Sequence, residues 1–204
     1  MMRKLLLPSR SRRWITPIVM LFLLLGIIAG AFIVSSVTQQ HVQLDDGTVW
    51  ITSLKDRKAA RFNAKNKDVD AGVSSAASRF DVAQHNGSTV IPEGTKASNI
   101  AASTISETGN TAIKTDIETI VGGDTAAFIN VKTGNVWVGS ASDVKSVNPI
   151  TDKPNMKLGS GGKIAVTHNG TVYGYRTSDG AVLSIKGPQG TREQVGTIEG
   201  APHA

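Results

Sequence analysis

Asp68 and Asp70 flank Val69, and alternate residues of an extended strand share a face. Such a pair of carboxylates could hold a hard cation, or divide the acid and base work of glycoside cleavage. No further acid lies close by in sequence, so a solvated strand edge is the plainer account. The four histidines are His41, His85, His168 and His203. None is spaced from another as metal ligands usually are. His85 and His168 each precede Asn-Gly, which puts them at hairpin tips, far apart along the chain. Asn86-Gly87-Ser88 and Asn169-Gly170-Thr171 match the N-glycosylation pattern, but Asn-Gly is also the favoured pair of a tight turn, and the turn explains both. Gly159-Ser160-Gly161-Gly162-Lys163 lacks the phosphate-loop spacing and the helix that should follow it, so it reads as a turn into a strand. No serine sits in a G-x-S-x-G elbow. The chain has no cysteine, which excludes disulfides, a thiol nucleophile and a cysteine-based zinc site. These residues assign no catalytic, cofactor or metal site, and no enzymatic activity is expected from them.

The elements that would carry such residues follow a distinctive opening segment. Residues 1–13 hold Arg3, Lys4, Arg10, Arg12 and Arg13 and no acid; the first carboxylate is Asp45. An uncharged apolar run then extends from Pro17 to Val34. About 18–20 apolar residues at 1.5 Å rise cross a hydrocarbon core of about 30 Å. Trp14 stands where an aromatic anchor meets the headgroups, and Pro17 falls in the first turn, where its missing N–H costs little. Gly26 and Gly30 form a GxxxG pair that lets helices approach closely, although glycine is common in membrane helices. Basic flanks stay cytoplasmic. The expected organisation is a cytoplasmic leader over 1–13, a transmembrane signal anchor over 14–37, a linker over 38–44 and an extracytoplasmic domain over 45–204. Ala29-Gly30-Ala31 would also fit a cleavage site, but the apolar run continues past it.

This topology alters the meaning of the charge. The net charge is +6, but the leader supplies five of the 22 basic residues, leaving 17 against 16 acids, or +1, beyond it. The basic excess is a topology signal and gives no nucleic-acid surface. Lys55, Arg57, Lys58 and Arg61 form a short basic cluster that reads as a solvated strand edge or turn.

Beyond the linker, short β-branched and aromatic runs alternate with Gly, Asn, Asp and Ser clusters about every ten residues, as in a sandwich, barrel or propeller. A repeat favours the propeller. Asp46-Gly47-Thr48-Val49-Trp50-Ile51 recurs as Thr133-Gly134-Asn135-Val136-Trp137-Val138 and as Asn169-Gly170-Thr171-Val172-Tyr173-Gly174. A weaker copy is Asn86-Gly87-Ser88-Thr89-Val90-Ile91. Gly47, Gly87, Gly134 and Gly170 are separated by 40, 47 and 36 residues, close to the roughly 40–50-residue period of four-stranded blades. Trp50, Trp137 and Tyr173 are expected at equivalent positions, buried between blades. Residues 103–118 are polar and are expected to form a blade edge or an inter-blade loop. Four blades are the minimum for a closed ring, so the ring is expected to be small or incomplete.

The segments DGTVWITSLKDRKAARFN, VDAGVSSAASRFDVAQHNGSTVI, AAFINVKTGNVWVGS and HNGTVYGYRTSDGAVLSI, in this order and spacing, resemble the N-terminal region of actinobacterial membrane-anchored proteins that carry a propeller-like segment followed by fibronectin type III domains. The resemblance covers residues 14–198. It implies a signal anchor, an extracytoplasmic propeller and an interaction role. No fibronectin type III domain follows here, as expected if the chain is the N-terminal part of a larger protein.

The fold class expected is therefore all-β: a partial or small β-propeller-like repeat domain behind one N-terminal transmembrane helix. The expected function is a binding or scaffold module at the bacterial cell surface, with the lipid bilayer and an extracytoplasmic protein or cell-wall ligand as partners. No cofactor and no nucleic acid are expected. The alternatives are an exported carbohydrate-active enzyme on a propeller scaffold, or a transmembrane signalling subunit that needs a partner for output.

Overall fold

The structure is a computed structural model that describes residues 47–77 and 79–199. Among these, all regular structure is β except for a 3-10 turn at Val144–Ser146. The residues expected to anchor the chain (Trp14, Pro17, Gly26, Gly30 and Val34) lie outside the described residues, and so does the linker. Among the described residues no helix is long and apolar enough to cross a membrane.

Among the described residues, fifteen strands form four antiparallel sheets, and each sheet uses strands consecutive in the chain. Sheet A contains β1 (Thr48–Ser53), β2 (Lys58–Asn63) and β3 (Asp68–Ser74). Sheet B contains β4 (Ala83–His85), β5 (Ser88–Glu93), β6 (Lys96–Ala101) and β7 (Ser106–Ala112). Sheet C contains β8 (Ile117–Gly122), β9 (Thr125–Asn130), β10 (Asn135–Ser140) and β11 (Met156–Lys157). Sheet D contains β12 (Lys163–Val166), β13 (Thr171–Tyr175), β14 (Ala181–Lys186) and β15 (Arg192–Thr197). Local turn chemistry makes these meanders. Gly134 adopts φ +67°, and the Asn130 Oδ1 atom accepts the backbone N–H groups of Lys132 and Thr133, closing the β9–β10 hairpin. A Cβ at position 134 would run into the backbone of Gly159, so only glycine fits there.

The pleat sorts neighbouring residues into different cores. Trp50 and Ala59 of sheet A pack with Phe80, Ile91 and Ile100. Val90, next to Ile91, instead joins Ile117, Phe128 and Trp137 in a second core between sheets B and C. Ile129, next to Phe128, joins Val136, Leu158, Val172 and Leu183 in a third core between sheets C and D. The four sheets therefore stack face to face in the order A, B, C, D. Sheets B and C are buried on both faces, A and D on one. Two-faced burial of antiparallel sheets around an axis is blade packing.

The structure corrects several sequence expectations. Residues 103–118, expected at a blade edge or in an inter-blade loop, do contain the edge strand of sheet B, β7, and the connection to sheet C, but β7 is a regular strand paired with β6 and the segment also includes the start of β8. Ahead of the short β4, Phe80 forms only an isolated bridge to Glu93. The repeat is real as a turn-and-strand unit but does not hold one blade position. Gly87 and Gly170 close the turns between the first and second strands of sheets B and D, whereas Gly134 lies between the second and third strands of sheet C. Trp50 and Trp137 are buried, but Tyr173 is 39% exposed, because its strand presents it on the face of sheet D that no other sheet covers.

Candidate functional site

Sequence separation kept His85 and His168 apart, but the fold brings them together. His85 ends β4 and His168 follows β12. Their imidazole centroids are 4.7 Å apart with the ring planes at 70°, an edge-to-face contact. The Nε2 atom of His85 is buried and has no hydrogen-bond partner. The two loops are built differently. Asn86 (φ 43°) and Gly87 (φ +81°) form a two-residue turn of the primed type, with His85 paired to Ser88. His168-Asn169-Gly170 is a three-residue loop; Gly170 is left-handed (φ +81°), and the Thr167 side chain binds Asn169 Oδ1 and the Thr171 carbonyl.

The β8–β9 hairpin tip of sheet C joins the same cluster. A Cβ on Gly122 would overlap the carbonyl of Thr167, and one on Gly123 would touch the backbone of 168–170. Hairpin tips from sheets B, C and D thus converge at one end of the stack. Gln84, beside His85, ties in sheet A: its Oε1 accepts the Trp50 N–H at 2.9 Å, and its Nε2 donates to the Thr48 carbonyl at 2.9 Å.

The opposite ends of these strands enclose a cleft of about 590 Å³, lined by residues from sheets A, B and C. Leu54, Phe80, Pro92, Ile113 and Ile117 give it an apolar surface; Arg79, Asp81, Lys114 and Glu118 give it two charges of each sign. All four charged residues are exposed, and among the described residues none is held in an ion pair. A wall of this kind, apolar with opposite charges free to turn, suits a polar ligand carrying both charges.

The carboxylates considered for chemistry are already engaged. Arg61 donates to both oxygens of Asp70, at 2.7 and 3.1 Å, and to the Ala102 carbonyl in the segment after β6. The Arg61 guanidinium holds the Asp70 carboxyl below its usual range. Asp68 accepts the N–H of Val69. The basic cluster noted in sequence therefore contains an internal fastener, Arg61, in addition to turn residues.

A second carboxylate pair was not visible in sequence. Lys96 bridges Glu93 at 3.1 Å and Glu107 at 2.9 Å. Hydrogen bonding to Lys96 lowers the Glu107 carboxyl, and hydrogen bonding to Glu107 raises the Lys96 ammonium. A small cavity of about 200 Å³ beside them is lined by Phe80, Ile91 and Ser98.

Gly47 opens β1, and Gly87, Gly134 and Gly170 each close a hairpin with positive φ. Gly159–Lys163 is a turn into β12, fastened by the Thr177 hydroxyl, which donates to the Leu158 and Ser160 carbonyls. Among the described residues no group of three His, Cys, Asp or Glu side chains could hold a metal ion.

No protein-family model matches the chain, and no curated protein does. Solved structures do. Hsv2 of Kluyveromyces lactis superposes with TM-score 0.51 at 13% identity, over 74% of this chain and 48% of that one. The dihydro-heme d1 dehydrogenase NirN gives TM-score 0.53 at 11% identity, over 76% of this chain and 36% of that one. A functionally unknown protein from Desulfotomaculum acetoxidans gives 0.50 at 12% identity, over 74% and 50%. The fold is propeller-like. At these identities the likeness concerns architecture alone, and this chain spans half or less of the length of these structures.

Proposed function

We propose that the protein is a binding or scaffold module of the bacterial cell surface, carried outside the membrane by a single N-terminal anchor over residues 14–37. The observation that supports the binding role is the cleft where sheets A, B and C meet. Its apolar wall and its unpaired Arg79, Asp81, Lys114 and Glu118 suit an extended polar segment bearing both charges, such as a peptide of the cell wall or of a surface protein. The anchor rests on the uncharged run from Pro17 to Val34 and the basic leader before it. The resemblance to actinobacterial propeller and fibronectin type III proteins belongs to the same proposal.

The enzymatic alternative needs a carboxyl kept protonated to act as an acid, which requires a raised pKa. Glu107 is shifted the other way by Lys96. That favours binding over glycoside chemistry at the carboxylate pair the fold brings together.

Two measurements test the proposal. A C-terminal tag should be digested by protease added to spheroplasts; a fully protected tag would overturn the topology. Full-length protein in detergent should bind peptide-bearing cell-wall material, and Arg79→Ala with Lys114→Ala should weaken that binding about tenfold. Equal binding by wild type and variant, or release of soluble glycan, would contradict the proposed site.

A further inference from the structure

The cleft where sheets A, B and C meet offers backbone as well as side chains. Its sheet C wall is made by Ile117, Glu118, Thr119 and Ile120. Alternate side chains of a strand leave opposite faces of the sheet, so a cleft that touches four consecutive residues runs along the strand's edge. That strand, β8, is an edge of sheet C, and among the described residues no strand pairs with its other side. The register tells which backbone groups lie there. The β8–β9 hairpin closes on Gly122 and Thr125 through Gly123 (φ +54°) and Asp124. The closing pair of a two-residue hairpin exchanges hydrogen bonds, and bonded and non-bonded pairs alternate from there. At the far end of the ladder the Val131 N–H donates to the Asp116 carbonyl at 3.0 Å, in the same phase. Glu118 and Ile120, opposite Ile129 and Ala127, therefore bond to β9. Thr119, opposite Phe128, turns its N–H and C=O to the open edge instead.

We infer that an extended peptide carrying both charges binds this cleft as an added strand, paired through its main chain with the N–H and C=O of Thr119. Resting on the reading of the cleft as the binding site, the added strand specifies how the ligand is held. A donor and an acceptor from one residue, aimed together from a strand edge, match the main chain of a second extended polypeptide. The side chains of an added strand alternate in direction, so pockets on either side of the edge select them. Here the apolar contacts are Leu54, Phe80, Pro92 and Ile113. The charged ones are Arg79, Asp81, Lys114 and Glu118, exposed and outside the ion pairs of the described residues. Two charges of each sign call for a segment that also bears both. The chain's own residues outside the described ones do not supply it. Residues 1–44 hold bases and no acid, the nearest base before Asp45 is Arg13, and residues 200–204 hold no Lys, Arg, Asp or Glu.

Binding and its mode are measured separately. The probe is a blocked, fluorescently labelled peptide of seven residues alternating valine with lysine and aspartate, titrated into full-length protein in detergent. Thr119→Pro removes one edge N–H and no ladder bond, a change that edge strands accommodate. It should weaken binding about tenfold or more, whereas Thr119→Val, which keeps the backbone, should leave binding unchanged. Methylating the peptide nitrogens one at a time should weaken binding at every second position and spare the positions between. Undiminished binding by Thr119→Pro, or methylation tolerated at every position, would overturn the added strand; sensitivity to Arg79→Ala with Lys114→Ala would then leave the cleft as the site. A wild-type protein that does not bind the peptide, as when the cleft is filled by the protein's own chain, would overturn both. Should Thr119→Pro fail to fold, the methylation series on wild type decides.

Discussion

Sheet C and sheet A have similar strands and different surroundings. All six residues of β9 in sheet C are buried, with Phe128 facing one core and Ile129 the other. In β1 of sheet A, Trp50 is buried while Val49 and Ile51, on either side of it, are more than half exposed. Both strands are written in residues suited to burial on both faces, but among the described residues only sheet C has a sheet on each side. A strand's sequence thus records how many of its faces are written for burial, and sheet A carries apolar residues on a face that no described sheet covers.

That contrast predicts a gradient of mutational cost. The largest effect should come from the middle of the stack. Trp137→Ala removes a buried ring and its N–H bond to the Asp152 carbonyl, and should cost about 3–5 kcal/mol in a denaturant melt. A cost below about 1 kcal/mol would show that sheet C is not the packed centre. Gln84→Ala cuts its two hydrogen bonds to β1 of sheet A and should cost roughly 1–2 kcal/mol. Sheet A should then loosen before the rest, which a tryptophan probe at position 50 would report. Val49→Thr, on the open face, should change stability by less than about 0.5 kcal/mol. If it destabilises as much as a core substitution, something in the same chain covers that face.

The smallest effect concerns pH. Asp70 and Glu107 have carboxyls lowered by hydrogen bonds from Arg61 and Lys96. A carboxyl lower in the folded state than in the unfolded chain contributes stability above its unfolded pKa and loses it as pH falls through the folded value. Stability should therefore decline on acidification below the ordinary carboxylate range, and Asp70→Asn should flatten that decline slightly, since these pairs are near solvent. An unchanged acid limb in the variant would mean that the Arg61 pair contributes nothing measurable.

Much of the fold was legible because turn and strand signals coincide. Asn-Gly at 86–87 and the glycines at 134 and 170 mark hairpins, and the runs after them alternate as strands do. The polar strands were not legible. In β6 the sequence KASNIA buries Ser98 and Asn99, and the Asn99 amide is held by the Ser142 carbonyl. Strand β7, with the sequence SETGNTA, buries Thr111, whose hydroxyl donates to the Val147 carbonyl. Long-range partners of this kind leave no local pattern. The His85–His168 contact was hidden for the same reason, yet a signal existed: both histidines begin a His-Asn-Gly triplet, and repeated turns in a radial stack gather at one end of it.

The most direct test is backbone hydrogen exchange in the full-length protein. Strands β9 and β10 should exchange slowest, with β1 to β3 and β15 fastest. Protection that is uniform across the four sheets would contradict the account of a stack packed at its centre and less covered at sheets A and D.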